Sequence, residues 1–150
     1  MFRSADAFGV KEVHLIGINF FDPGPAVGSF KWVPAKFKKS FSETYSDLIE
    51  QDYTIFALEP VGGELLTEVT LPSKSAFILG HEQFGLSFDP KMFPKVKLIT
   101  IPQFGKVQSL NVSVAASLVL YEYLKQHISG KEIISNFQID QNDDRYKKFI

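Results

Sequence analysis

The chain has 150 residues, a formal net charge of −1 and no cysteine. That length suits one domain with a core of its own, and the missing cysteines exclude disulfide frameworks, thiolate metal sites and cysteine nucleophiles. With 45% apolar and 22% charged residues the composition is globular, no apolar run approaches the ~20 residues that cross a bilayer, and the near-neutral charge does not announce a strongly basic nucleic-acid binder. In chain order, Phe2 to Phe8 reads as the tail of a helix stopped by Gly9. The opening MFRSADAFGV has no apolar core of a signal peptide, and a cytoplasmic protein is the expectation. Val13-His14-Leu15-Ile16-Gly17 is the first of four short apolar runs closed by Gly or Pro. Pro23 to Gly28 is a loop, and Lys31 to Lys39 is a basic stretch carrying Lys31, Lys36, Lys38 and Lys39 around Trp32. Ser42 to Gln51 reads as a helix with a Ser cap.

The other three runs are Thr54 to Leu58, ending at Glu59-Pro60, Ala76 to Leu79, ending at Gly80, and Lys97 to Ile101, ending at Pro102. Near-continuous apolar runs of this length are strands covered on both faces, hence a parallel sheet. Val112 to Lys125 is the strongest helix pattern, apolar almost all round and therefore expected to be buried, with Asn111 typed to cap it. Alternating strands and helices give an α/β fold. The tail from His127 is polar.

Ligands of open α/β sheets bind beyond the carboxyl ends of the strands, which directs attention to three loops. The first, Glu59-Pro60-Val61-Gly62-Gly63, reads most simply as a turn. The second is Gly80-His81-Glu82-Gln83-Phe84-Gly85-Leu86-Ser87. It lacks the Gly-Lys-Ser/Thr of a P-loop. Its Glu82 follows an apolar strand, where a carboxylate needs partners, whereas His81 reads first as an exposed turn residue. The third runs from Pro102 through Gln103, Gln108, Ser109 and Leu110 to Asn111, straight into the apolar helix. Ser109 and Asn111 there supply short polar groups beside free helix N–H groups, and helix capping alone would explain either one. His14, His81 and His127 have no metal-ligand spacing, so no metal is expected. There is no G-x-S-x-G elbow and no G-x-G-x-x-G fingerprint.

Taken in order, Phe77 to Ser87, Ile101-Pro102 and Ser109-Leu110-Asn111-Val112-Ser113-Val114-Ala115-Ala116 resemble the second and third motifs of the SpoU/TrmH-type SPOUT RNA methyltransferases. Phe2 to Val10 resembles the end of the first motif, and Gly28 to Pro34 and Ala57 to Pro60 are similar to further family segments. The likeness covers roughly residues 1 to 125. It implies an α/β fold with a mostly parallel sheet, flanking helices and a C-terminal trefoil knot over about Ser75 to Lys125. It implies S-adenosyl-L-methionine as cofactor and a ribose 2′-hydroxyl of tRNA or rRNA as acceptor. It also implies a homodimer packed through the 112–125 helix, with no membrane and no metal. By position, the cofactor would meet Leu58, Gly80, Ile101, Ser109 and Leu110. Arg3, Glu82, Ser109 and Asn111 would be the catalytic set.

Relative to that family the chain reads as one domain over 1–150 that is short at its N-terminus. The Asn, the Gly and the strand that precede the family's arginine are missing before Met1, and 127–150 matches no family motif. A non-catalytic dimeric RNA-binding relative with the same fold is the alternative reading, and an unrelated nucleotide-binding α/β domain is the third.

Overall fold

The computed structural model describes residues 1–20, 24 and 28–128. Helix α1 (Phe2–Ala7) is followed by strands β1 (Val13–Ile16) and β2 (Ala35–Lys38), then α2 (Phe41–Glu50) and β3 (Thr54–Leu58). Strands β4 (Glu64–Leu65), β5 (Ser75–Ile78) and β6 (Val96–Thr100) lead to the long helix α3 (Val112–His127). Every strand pairing is parallel. The four apolar runs all form strands, but they do not share one sheet. Among the described residues β1 pairs with β2 alone, and the other four strands stand in the order β4-β6-β3-β5.

Two strands escape the apolar pattern. β2, Ala35-Lys36-Phe37-Lys38, lies inside what reads as a basic loop. Its Lys36 and Phe37, which point to opposite faces, are both exposed in a two-stranded pair, so it needs no continuous apolar run. β4 is only Glu64-Leu65 and both residues are exposed. Helix α2 starts one residue before the expected Ser42, and Ser40 occupies the cap position. The loop expected over Pro23–Gly28 lies largely outside the described residues, as does the tail beyond Ile128.

β3 is the centre of the larger sheet. With β5 on one edge, β6 on the other and both faces covered, Ile55, Phe56 and Ala57 are completely buried. Phe56 packs with Leu66, Val69, Leu71, Ile99 and Val119 in the main core. A second cluster, Phe2, Ala5, Leu15 and Val33, joins α1 to the smaller sheet. The rings of Phe41, Tyr45, Phe88 and Phe93 hold the 84–93 segment against α2, with Phe41 and Phe88 stacked at 3.9 Å.

α3 departs from expectation. Ala116 and Val119 are buried, but Val114, Leu118 and Tyr121 form an exposed apolar stripe. The helix is a core element on one side only. α1 lies along part of it, through a 2.8 Å hydrogen bond between the Ser4 and Ser117 hydroxyls and an edge contact of Phe8 with Tyr121. The far end of α3 runs to His127, two residues past the expected end. There Gln126 accepts from the Leu71 N–H and donates to the Val69 carbonyl, and Tyr123 donates to the Ser73 carbonyl.

The strand order has a topological consequence. β4 follows β3 by five residues, yet β6 lies between them. The 59–63 loop therefore bridges the end of β6. Glu59 N–H donates to the Ile99 carbonyl, Gly63 N–H to the Thr100 hydroxyl and Leu66 N–H to the Thr100 carbonyl. The approach is so close that a Cβ at Gly63 would lie 2.7 Å from the Ile99 main chain. Gly63→Ala is expected to destabilise the fold by about 1–3 kcal/mol, the usual cost of overpacking. Gly105→Ala, where nothing lies within 4 Å and φ is not positive, is expected to be near neutral. Urea unfolding of the two variants beside the parent chain checks both.

Candidate functional site

Because β3 lies between β6 and β5, the loops leaving the carboxyl ends of these strands are neighbours. They enclose a cleft of about 280 Å³. Leu58, Glu59 and Pro60 contribute from the first loop, Leu79, Gly80, His81, Glu82 and Gly85 from the second, and Ile101, Gln103, Gln108, Ser109 and Leu110 from the third. Val112 and Ala115 on the first turns of α3 complete it.

The second loop is pinned as a tight turn. His81 and Gly85 exchange two main-chain hydrogen bonds of 2.8 Å. Gly85 takes the left-handed conformation, φ +68°, that glycine adopts without strain. A Cβ on Gly80 would come within 2.5 Å of Gly85 main chain, so the turn closes only because both positions lack side chains. His81 stays exposed. Its Nδ1 accepts from the Gln83 N–H, and its ring stacks on Phe84 at 4.9 Å.

The N-terminus of α3 opens onto the cleft, and two side chains satisfy its first N–H groups. Glu82 Oε1 accepts from the Val112 N–H at 3.2 Å, and Asn111 Oδ1 accepts from the Ser113 N–H at 2.9 Å. A carboxylate there also meets the positive end of the helix dipole. Asn111 Oδ1 takes a further bond from the Ser113 hydroxyl at 2.6 Å.

Much of the wall of the cleft is apolar: Leu58, Leu79, Ile101, Leu110, Val112 and Ala115 are all half-buried. Glu82, Gln108 and Ser109 are exposed nearer solvent. Gln103 lines the cleft as well. Gln103 Oε1 is sealed from solvent and has no hydrogen-bond partner among the described residues, a state that costs about 1–3 kcal/mol for a buried acceptor.

All five residues expected to hold a cofactor, Leu58, Gly80, Ile101, Ser109 and Leu110, line this cleft together with Glu82. Asn111 stands at its edge as the α3 cap. Arg3 is not among the lining residues. It is exposed on α1, next to Ser4, which bonds α3 at Ser117. Of the lysines, Lys36 pairs with Glu12 at 2.6 Å and Lys38 with Asp47 at 2.7 Å. The Lys38 ammonium, through that hydrogen bond, holds the Asp47 carboxyl below its ordinary value. Trp32 and Phe37 are both half-exposed on the same stretch. Gln103 is the contributor that motif reading passes over, since one Gln after Ile-Pro carries no chemical signature. Among the described residues no group of three or more His, Asp or Glu is placed to hold a metal, and no helix is long and apolar enough to cross a membrane.

Comparison with known proteins gives a consistent picture. The family model described as the SpoU rRNA Methylase family matches residues 1–121. The chain is 32% identical over 133 residues to a tRNA (guanosine(18)-2′-O)-methyltransferase of Thermus thermophilus, covering 85% of this chain and 68% of that protein. It is 31% identical over 135 residues to the 23S rRNA (guanosine-2′-O-)-methyltransferase RlmB of Neisseria meningitidis, covering 87% of this chain and 54% of that one. Among solved structures, the SpoU methyltransferase AviRb of Streptomyces viridochromogenes, in complex with AdoMet, superposes with a TM-score of 0.73 at 27% identity. That match covers 86% of this chain and 55% of AviRb. The TrmH/SpoU tRNA modifying enzyme of A. aeolicus shares the fold, with a TM-score of 0.72 at 24% identity over 99% of this chain and 81% of that one. The chain thus spans between about half and four-fifths of these relatives.

The capping role of Asn111 can be tested apart from any chemistry. Asn111→Ala is expected to lower stability by about 0.5–2 kcal/mol, the usual worth of an N-cap, whereas Asn111→Asp is expected to retain most of it. Thermal unfolding followed by circular dichroism reads the difference.

Proposed function

The chain belongs to the SpoU rRNA methylase family, and from that premise we propose that it transfers a methyl group from S-adenosyl-L-methionine to a ribose 2′-hydroxyl of tRNA or rRNA, in the cytoplasm. The observation that carries the reading is the convergence of Leu58, Gly80, Ile101, Ser109 and Leu110 on one cleft with Glu82. The activities named for the 32% and 31% identical relatives, and the AdoMet held by AviRb, support the same chemistry.

The residues present fit such a cofactor. The apolar wall suits a nucleoside, and the carboxylates of Glu59 and Glu82 suit a cationic group. When bound, the cofactor supplies an electrophilic methyl on a sulfonium. The chain's own task is then alignment, because an in-line displacement gains most from holding nucleophile and methyl in register. Main-chain groups at 58, 80, 101, 109 and 110 would hold the cofactor, and Glu82, Ser109 and the Asn111 amide would orient the ribose. Glu82 is suited to this because the Val112 N–H already fixes its carboxylate.

Arg3 would act as a charge and not as a base, since a guanidinium stays protonated at any working pH. It would stabilise the developing alkoxide or grip the neighbouring phosphate. As Arg3 lies outside its own cleft, this role calls for a second copy of the chain. The exposed stripe of Val114, Leu118 and Tyr121 on α3 supports a homodimer through that helix. Lys31 and Lys39, beside half-exposed Trp32 and Phe37, are the groups proposed to meet RNA backbone and bases. The position of β6 under the 59–63 loop supports a threaded chain of the kind the family's knot requires.

Calorimetric titration with S-adenosylhomocysteine is expected to give saturable binding at one site per chain. A folded chain that binds none removes the proposal. Arg3→Ala is expected to keep that binding while losing about a hundredfold or more in methyl transfer to tRNA or rRNA. Unchanged turnover in the variant takes Arg3 out of the site. Binding of both cofactor and RNA with no turnover in the parent chain would favour the non-catalytic RNA-binding relative.

A further inference from the structure

Arg3 adjoins the side chain that fastens its helix to α3. We infer that Ser4 and Ser117 are positioning residues for methyl transfer: the hydrogen bond between their hydroxyls fixes α1 on α3 and so sets where Arg3 stands. The inference rests on the reading of Arg3 above and extends it to the groups that place that side chain.

α1 cannot set its own position. It has six residues and no side-chain cap at its N-terminus, well short of the length at which a helix holds by itself in water. Its surroundings hold it instead. Phe2 and Ala5 are buried in the cluster with Leu15 and Val33. Ser4 and Phe8, one turn apart on another side, meet α3 at Ser117 and Tyr121. Arg3 and Ala7, again one turn apart, are left exposed. Each side of the helix thus has its own surroundings, and any turn or slide of α1 carries Arg3 with it.

Apolar contact is non-directional, so Phe2, Ala5 and Phe8 oppose separation more than rotation or sliding. The hydroxyl pair is directional. It is 2.8 Å long, and both serines are half-buried. Its polarity follows from the hydrogens available. A serine hydroxyl has one hydrogen to give, and Ser117 gives its own to the Ser113 carbonyl at 2.8 Å. Ser117 must therefore accept from Ser4. Ser113 in turn gives its hydroxyl hydrogen and its N–H to Asn111 Oδ1 at the edge of the cleft. Consecutive turns of α3 thus hold the cleft-side cap and the anchor of α1. In the proposed dimer the copies meet along α3 and Arg3 serves the other copy's cleft. Its reach is then set by where α1 lies on α3. A misplacement of about 1 Å at reacting groups can cost on the order of a hundredfold in rate.

The test is single-turnover methyl transfer by the full chain to total RNA from cells lacking its gene, with S-adenosylhomocysteine binding read beside it by calorimetry. Ser4→Ala and Ser117→Ala are each expected to lower the maximal rate at saturating enzyme by about tenfold or more. Their affinity for S-adenosylhomocysteine is expected to stay within about twofold of the parent, since the loss belongs to the reacting step. Ser117→Thr keeps a hydroxyl that can accept and donate, and is expected to recover the rate to within about threefold. Ser4→Ala combined with Ser117→Ala is expected to be no slower than either alone, as befits two ends of one bond. Ser117→Ala is also expected to add nothing to Arg3→Ala, because a misplaced arginine and a missing one are equivalent to the reaction. A full rate in either folded single variant, a rate loss that tracks weaker S-adenosylhomocysteine binding, a further loss when Ser117→Ala joins Arg3→Ala, or no recovery in Ser117→Thr would each overturn the inference and leave the reading of Arg3 intact. Unchanged turnover in Arg3→Ala, or none in the parent, would remove that reading and the inference with it. Should Ser117→Ala fail to fold, Ser4→Ala decides by the same comparisons.

Discussion

Main chain meets main chain where Gly63 crosses Ile99, and most of the architecture depends on that contact. β6 can sit between β3 and β4 only if the 59–63 loop passes over its end at a distance no side chain permits. The Thr100 hydroxyl and carbonyl take up the N–H groups of Gly63 and Leu66, so the crossing leaves few main-chain donors unpaired. Once β6 is seated, Leu58 and Glu59 from one loop and Ile101 and Gln103 from another become walls of the same cleft. The site is therefore a by-product of strand order more than of any one motif.

α3 then ties the site to the core. Its first turn receives Glu82 and Asn111, its middle buries Ala116 and Val119, and its last turn clamps the 69–73 segment through Tyr123, Gln126 and His127. A helix held at both ends in this way has little freedom to slide. The groups at its N-terminus are thus placed by the whole length of the helix, and a cavity at Val119 would be felt in the cleft. The exposed stripe on the opposite face is a separate matter, independent of these clamps.

The legibility of these features in the sequence follows burial. β3, β5 and β6 announce themselves because both faces are covered and polar residues are scarce. β2 hides because Lys36 and Phe37 are both exposed and Lys36 and Lys38 find their ion-pair partners, Glu12 and Asp47, in distant segments. β4 is too short for any periodicity. α3 reads as buried because hydropathy cannot tell a core face from an exposed apolar one; Val114, Leu118 and Tyr121 belong to the second kind within this chain. The three loops that follow Leu58, Leu79 and Ile101 could be picked out because the parallel sheet dictates where ligands go, whereas Leu58, Gly80 and Ile101 themselves are named by the family resemblance. Gln103 could not, since nothing local distinguishes a shielded amide from a solvated one. Arg3 could be named from its motif, but its distance from the cleft is a matter of tertiary placement.

The seating of β6 also says something about the order in which the molecule is made. Strand β4 leaves the ribosome about thirty residues ahead of β6, and β3 about forty (the sequence after β4 is a connector, β5 and a short aromatic segment). Until Val96 to Thr100 arrives, the edge of β3 facing the gap has no ladder partner and β4 has none at all. The nascent chain therefore carries an open strand edge of the kind that invites wrong pairing. Closing it requires pairing between segments far apart in sequence, the slow class of folding event. Assembly of the sheet therefore waits until Thr100 has emerged, and the cleft cannot exist before it.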